Sequence, residues 1–442
     1  MKKLLLLFLL FPCLCFSQVA IMSGGTASDW YGVSWDAGYD ADSYTRLGTL
    51  ADSSASATIP DAYLPIQAAM ERWVIDNAGN ELYQLDPANS NKKITGETIS
   101  LNGTNGQVVV KIPKFYYYFH YDAVDSVFTW KISQDSLAGF VAHPAFFKDS
   151  VWVDYRYIGA YEASMYDYSA SAMCDSANIP VSIVDIVNDT LCSIACGDSI
   201  YAKTNETRVE YRAMAANRGS GWRLMTYYDQ SMVQLLYLVE YANFNSQSKI
   251  GNGRTALSGL SWVANSYIGK CGMSDSDGNF TGNVSPGDSS TSYMSYRGIE
   301  NLYGNVWKML DGIAWDASAN DEVTPIPVWV SNHVDYFHDN SSTGMILLKN
   351  ITNLGATDAG YQYYLENISS GFLPSAVGGS SSTRQGDYYW QYPDNGGGWC
   401  LGVVSGGASS GVSAGAVAFR VGGGFGGVPV FVSGCVCRYI MD

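Results

Sequence analysis

The sequence predicts an α+β fold, and three observations predict it. The first half carries β-branched and aromatic runs of strand length, and the middle holds two helical patterns close together. Beyond residue 245 helical spacing gives way to Gly, Ser, Asn, Tyr and Trp with short apolar stretches. Strands, a helix pair and a loop-rich β half in that order describe one mixed core. The 442 residues are 47% hydrophobic and 14% aromatic, enough for a large core rather than a disordered chain.

The elements follow in order. Met1-Lys2-Lys3, an apolar run to Phe16 and then Ser17-Gln18 have the pattern of a secretory signal over 1–17. Cys13 and Cys15 raise a lipid anchor as the alternative, but the residues before them lack the small side chain such a site needs. The expected location is therefore secreted or at the cell surface. No later apolar run is long enough to span a bilayer. Residues 18–105 read as a smaller β-rich region, with short strands over 30–50. Within it, 63–75 has apolar residues at helical spacing until Asp76-Asn77-Ala78-Gly79-Asn80 breaks the pattern.

A second unit is expected over 106–442. Residues 107–121 (QVVVKIPKFYYYFHY) predict a strand, and 151–162 another in the core. Ser, Asp and Cys among short apolar runs mark 168–203 as an inserted surface hairpin. Helices are predicted at 207–217, stopped by Arg218-Gly219, and at 229–241, capped by Thr226 or Asp229.

Charge and cysteines narrow the function classes. Forty-one acidic against 25 basic residues give a net charge of −16, with no basic stripe, so nucleic acid is excluded as a partner. Seven cysteines follow the signal: Cys174, Cys192, Cys196, Cys271, Cys400, Cys435 and Cys437. An odd number leaves one unpaired or bonded to a partner, and Cys174 with Cys192 or Cys196 is a candidate staple of the insertion.

Catalytic patterns are absent from the sequence. His333 and His338 flank Asp335 and Asp339, but without helical i, i+4 spacing or a third ligand this is a loop, not a metal site. Asp275-Ser276-Asp277-Gly278-Asn279 puts its Gly at the fourth position, where a calcium loop needs it at the sixth. No phosphate-cradling loop and no nucleophile elbow occurs. No enzymatic activity, metal or cofactor is therefore expected.

Several segments together resemble a known family. Residues 296–312 (YRGIENLYGNVWKMLDG) are similar to the Gly-Asn-Val-Trp core of the formylglycine-generating-enzyme-like branch of C-type lectin folds, and 221–229 (GWRLMTYYD) to the segment before its second helix. Residues 401–438 resemble the variable region in target proteins of diversity-generating retroelements, with Gly-Gly near the start, Ala-Gly in the middle and a Gly-x-x-x-Arg close. VVVKIPKFYYYF and GFVAHPAFF look like segments that precede such domains in phage tail and Bacteroidetes-type proteins. The resemblance implies a C-type lectin-like domain with two helices and a loop-rich β half.

Residues 402–438 use only Gly, Val, Ser, Ala, Phe, Arg, Pro and Cys, and lack Lys, Glu, Gln, Met and Trp. Every type present is reachable from an Asn codon by replacing its two adenines. Adenine-directed mutagenesis, which the resemblance implies, cannot produce the five missing ones. The implied ligand-contacting positions are Ser409, Ser410, Val412, Ser413, Val417, Ala418, Arg420, Gly422, Gly423, Gly426, Gly427, Pro429, Phe431 and Ser433. Strand alternation turns about half of them inward. Gly304, Asn305, Trp307, Gly406, Gly407, Gly411, Gly415 and Arg438 are the implied scaffold, and Tyr388, Tyr389, Trp390 and Tyr392 form either a rim or core.

The expected function is ligand binding, with a protein or glycan on another cell or phage as partner. A phage tail adhesin is the alternative, against which the signal peptide counts. An oxidase like the formylglycine-generating enzyme is a third reading. It needs a cysteine pair after the Gly-Gly, and 406–415 contains none.

Overall fold

A computed structural model describes residues 30–39, 43–173, 185–195, 202–204, 206–257, 268–284, 292–319, 323–354, 360–392, 398–422, 432–433 and 435–438. The architecture is mostly β, with 37% strand against 14% helix in many small sheets. The expected α+β fold, a C-type lectin-like domain with two helices as its main feature, is corrected accordingly. The physical reason is that strands of two to seven residues from distant parts of the chain pair into sheets, leaving helices a minor share.

Four α-helices occur among the described residues: α1 (Pro65–Ala68), α2 (Arg208–Ala216), α3 (Tyr227–Tyr241) and α4 (Ser246–Ile250). Both α2 and α3 begin with a capping box, Thr207 with Glu210 and Thr226 with Asp229, in which side chain and backbone satisfy each other's free donors. Helix α3 ends at Ala242, whose left-handed φ of 47° turns the chain away. Its residues are buried except Tyr228 and Tyr241, so it is a central pillar rather than a surface helix. Arg46 donates to the Val239 and Glu240 carbonyls (3.2 and 2.8 Å), satisfying acceptors that the last helical turn leaves open. At the other end Asp229 pairs with Arg156 (2.8 Å) and Lys148 (3.6 Å). Burial alone would raise the Asp229 carboxyl; Arg156, Lys148 and Thr226 outweigh it and hold it at about 2.

Helix was expected over 63–75, but α1 covers only four residues there and Glu71–Ile75 is a strand. It lies between Gln107–Pro113 and Glu81–Asp86, both antiparallel, so pairing overrides the helical spacing. Helix α4 and the 3-10 turn Asp275–Asp277 likewise lie beyond residue 245, where no helix was expected.

Three sheets organise the chain. Tyr44–Gly48, Trp30–Asp36, Val127–Ser133, Tyr116–Asp122 and Val141–Ala142 form a five-stranded antiparallel sheet, whose Trp35, Phe128 and Trp130 stack beside Phe244. A seven-stranded sheet runs Trp222–Leu224, Val436–Arg438, Tyr155–Gly159, Gln107–Pro113, Glu71–Ile75, Glu81–Asp86, Asn89–Lys93. Both sheets join strands from before and after residue 105, so the division expected there does not coincide with a sheet boundary. The third, also of seven strands, carries the candidate site.

Within the 168–203 insertion, the strands Ala172–Met173 and Thr190–Cys192 pair with Ser164–Asp167, just before it, in a small sheet. Cys192 is a free buried thiol that accepts from Arg218, while Cys174 and Cys196 lie outside the described residues, as does the signal segment 1–17. Among the described residues no helix is long and apolar enough to cross a membrane.

Candidate ligand-binding surface

The third sheet has the order Pro374–Val377, Gly360–Leu365, Tyr388–Tyr392, Phe419–Gly422, Gly402–Val404, Trp307–Met309, Val432–Ser433. Gly402–Val404 and Phe419–Gly422 are antiparallel neighbours, Val403 opposite Arg420, and the loop 405–418 joins them. This loop is where interchangeable side chains were expected, and its backbone is held from many directions.

The holders are buried polar side chains of other elements. Gln234 and Gln230 of α3 both donate to the Ala416 carbonyl (2.8 and 3.3 Å). Gln362 donates to the Val417 carbonyl, and Ser246 accepts from the Ala416 N–H. Gln247 of α4 reaches the Gly411 and Ala414 carbonyls at 2.8 and 2.7 Å. Asp387 accepts the Val417 N–H at 2.8 Å. Burial pushes the Asp387 carboxyl well above the usual carboxylate range, against the N–H groups of Val417 and Ala418. Since a buried backbone group without a partner is costly, such clamps hold the loop independently of the side chains at its exposed positions.

Two glycines are sterically required. A Cβ on Gly406, whose φ is +79°, would fall 2.6 Å from the Ala414 Cβ. One on Gly415 would fall 1.9 Å from Asp387 Oδ1. Of the other scaffold positions, Gly407 and Gly411 belong to the loop, Asn305 holds it from another element, and Arg438 lies in the second sheet. Asn305 is buried with a φ of 58°, and its carbonyl accepts the Ala408 N–H at 2.9 Å. Its side chain donates to Glu162 and accepts the Gly269 N–H. Glu162 also pairs with Lys308 at 3.4 Å. Gly304 has a φ of +82°, Trp307 is buried, and the Gly407 backbone lies against the Trp307 ring. Gly411, with a φ of +55°, starts a 3-10 turn over Gly411–Ser413. Arg438 is described only as backbone in the Val436–Arg438 strand.

The positions expected on display divide. Ser409, Val412 and Arg420 are exposed, and Ser410, Ser413 and Gly422 half-buried. Val417 and Ala418 are corrected to core positions, 1% and 0% exposed, because the chain turns inward there to meet Gln362 and Asp387. Gly423, Gly426, Gly427, Pro429 and Phe431 lie outside the described residues, as does the side chain of Ser433.

Upstream, Tyr389 is buried against Phe419 while Tyr388 and Trp390 are half-buried on the opposite face. Their rings are 4.3 Å apart, Tyr361 lies 5.0 Å from Tyr388, and Trp307 meets Trp390 edge-on at 5.0 Å. Arg420 is directly opposite Trp390 in register. An aromatic row thus borders the exposed guanidinium, the residue mix that dominates protein recognition energies. The side chain of Tyr392 lies outside the described residues.

The other sequence candidates are absorbed by structure. Asp339 is bound by Arg208 and Arg212 (2.7 and 2.9 Å), and His333 Nδ1 accepts the Asp335 N–H. Asp275 pairs with Arg72 and accepts the Tyr161 hydroxyl. Among the described residues no three His, Cys, Asp or Glu side chains come together to hold a metal ion.

Sequence reasoning missed the clamps. Their signal was Gln230 and Gln234 inside an otherwise apolar helical run, polar groups that must find partners once buried. No protein-family model and no curated protein matches the chain.

Proposed function

We propose that the chain is an exported, non-enzymatic binding protein that recognises a protein or glycan through the surface built by the loop 405–418 and the strand Phe419–Gly422. The observation that carries this reading is the separation of roles within one loop. Backbone groups of residues 408–417 are bound by buried or half-buried residues of other elements, while Ser409 and Val412 are exposed and Ser410 and Ser413 half-buried. Side chains at Ser409, Val412 and Ser413 are replaceable at little cost to the fold, as a diversified surface requires, whereas Ser410 also accepts the Gly407 N–H at 2.9 Å. The restricted residue alphabet of 402–438 supports the same reading, that of a retroelement-diversified target protein.

The locus tests the diversification. The neighbouring DNA is expected to hold a reverse transcriptase gene and a near-copy of codons 402–438, with mismatches at template adenines. Without such a copy the diversification is refuted. Binding is tested separately by randomising codons 409, 412, 413 and 420 and panning against cell-surface proteins and glycans. Selected variants are expected to change target while keeping the unfolding midpoint; a midpoint that collapses in most variants sinks the proposal.

A further inference from the structure

A second concave region lies apart from that surface. A cleft of about 770 Å³ is walled by residues 58–61, 68–71, 87–88, 240–241, 276–281 and Arg297, a volume typical of small-ligand sites. Four carboxyl groups line it, Asp61, Glu71, Glu240 and Asp277, against the single guanidinium of Arg297. That guanidinium is already engaged, with Nη2 2.6 Å and Nε 3.1 Å from Glu240 and Nη1 2.7 Å from Asp61. Among the described residues the wall holds no other Lys or Arg, so an anionic ligand would meet the carboxyl groups of Glu71 and Asp277.

The rest of the wall is mixed: Thr58, Ser276, Asn279 and Thr281 are polar, while Ala68, Pro87, Ala88 and Phe280 give it apolar patches. Ile59 and Met70 are buried beneath it, and Phe280 is 51% exposed at its side. The Phe280 ring lies on the backbone of Gly282, where a Cβ would fall 2.9 Å from the ring, so the absent side chain lets the ring settle there. An aromatic face beside carboxylates attracts an ammonium or guanidinium, and the apolar patch of Ala68, Pro87 and Ala88 covers an aliphatic stem. A bare metal ion fits poorly, because no three carboxylates converge on one point among the described residues.

We propose that this cleft binds an organic cation on an aliphatic stem, the chemistry shared by free polyamines and by lysine side chains of a protein. The test titrates the full chain with spermidine and, separately, with a lysine-containing peptide, using calorimetry. Saturable binding of either probe is expected, and which of the two saturates identifies the source. Glu71→Gln and Asp277→Asn should each weaken it about tenfold, the loss of one charge-assisted contact. Phe280→Ala should also weaken it, and added salt should do so for the unaltered chain. Arg420→Ala should leave it unchanged, which separates this site from the recognition surface. The proposal is overturned if neither probe saturates, or if both carboxamide variants bind as the unaltered chain does. Should either variant unfold, binding by the unaltered chain that ignores salt overturns it equally.

Discussion

Replacing Gly415 with alanine probes how the displayed loop is held. Gly415 is not in the left-handed region, so alanine's backbone preference adds no strain and the effect is steric. The new Cβ would lie 1.9 Å from Asp387 Oδ1 and 2.2 Å from both Cγ and Oδ2. Ordinary contact needs well over an ångström more, so the carboxyl group must swing away or the loop must lift. Either movement breaks the 2.8 Å bond from the Val417 N–H. A hydrogen bond contributes about 0.5–1.5 kcal/mol with a neutral carboxyl and about 1.5–3 kcal/mol with a charged one, and leaving the group unsatisfied adds about 1–3 kcal/mol. A destabilisation of about 3 kcal/mol or more is expected in equilibrium urea unfolding. Asp387→Ala alone should cost a similar amount, but the double variant should cost about 1–3 kcal/mol less than the sum, because the clashing carboxyl is gone. Gly415→Ala within about 0.5 kcal/mol of the unaltered chain, or strict additivity in the double variant, would refute the clamp.

Further outcomes follow from the buried charges. Asp229 is held at about 2, so its contribution to stability is present above its unfolded value of about 3.9 and lost as pH falls through about 2. Urea midpoints measured across that window should fall for the unaltered chain and be flatter for Asp229→Asn. Glu300 behaves oppositely: burial and then Asp275 raise its carboxyl to about 7, outweighing the Ser274 and Arg72 contacts that lower it. Its contribution is full below about 4.3 and is lost as pH rises through about 7, a slope that Glu300→Gln should reduce. Glu162→Ala leaves buried Lys308 without its ion-pair partner and frees Asn301 and Asn305, so a loss of about 3–5 kcal/mol is expected by denaturant titration. Arg420→Ala, at an exposed strand position, should change stability by no more than about 0.5 kcal/mol while weakening binding to any selected target.

Local signals were readable from sequence and distant pairing was not. Helices α2 and α3 lie where the spacing, the Arg218-Gly219 stop and the Thr226 or Asp229 cap place them, because such signals act within one turn; the Thr207–Glu210 box of α2 is the same kind of local signal. The 63–75 segment misled because its spacing suits a helix, while its strand exists only through partners at 107–113 and 81–86. The balance of the fold misled for the same reason, since many strands are two to four residues long and owe their existence to neighbours far away in sequence. Within the site, the glycines at 406 and 415 were legible as backbone requirements. Val417 and Ala418 were not legible as core, because nothing in a run of small residues says which ones a distant Gln362 and Asp387 draw inward.

The strand Val436–Arg438 follows the displayed loop in sequence yet lies inside a sheet, between Tyr155–Gly159 and Trp222–Leu224. Until it is synthesised, those two strands face each other across an open slot with unpaired edges, a state prone to aggregation. A copy whose reading frame is lost within 402–435 cannot supply it. Substitutions at exposed loop positions leave this closure intact, whereas a frameshift or premature stop before residue 436 removes the strand that joins Tyr155–Gly159 to Trp222–Leu224.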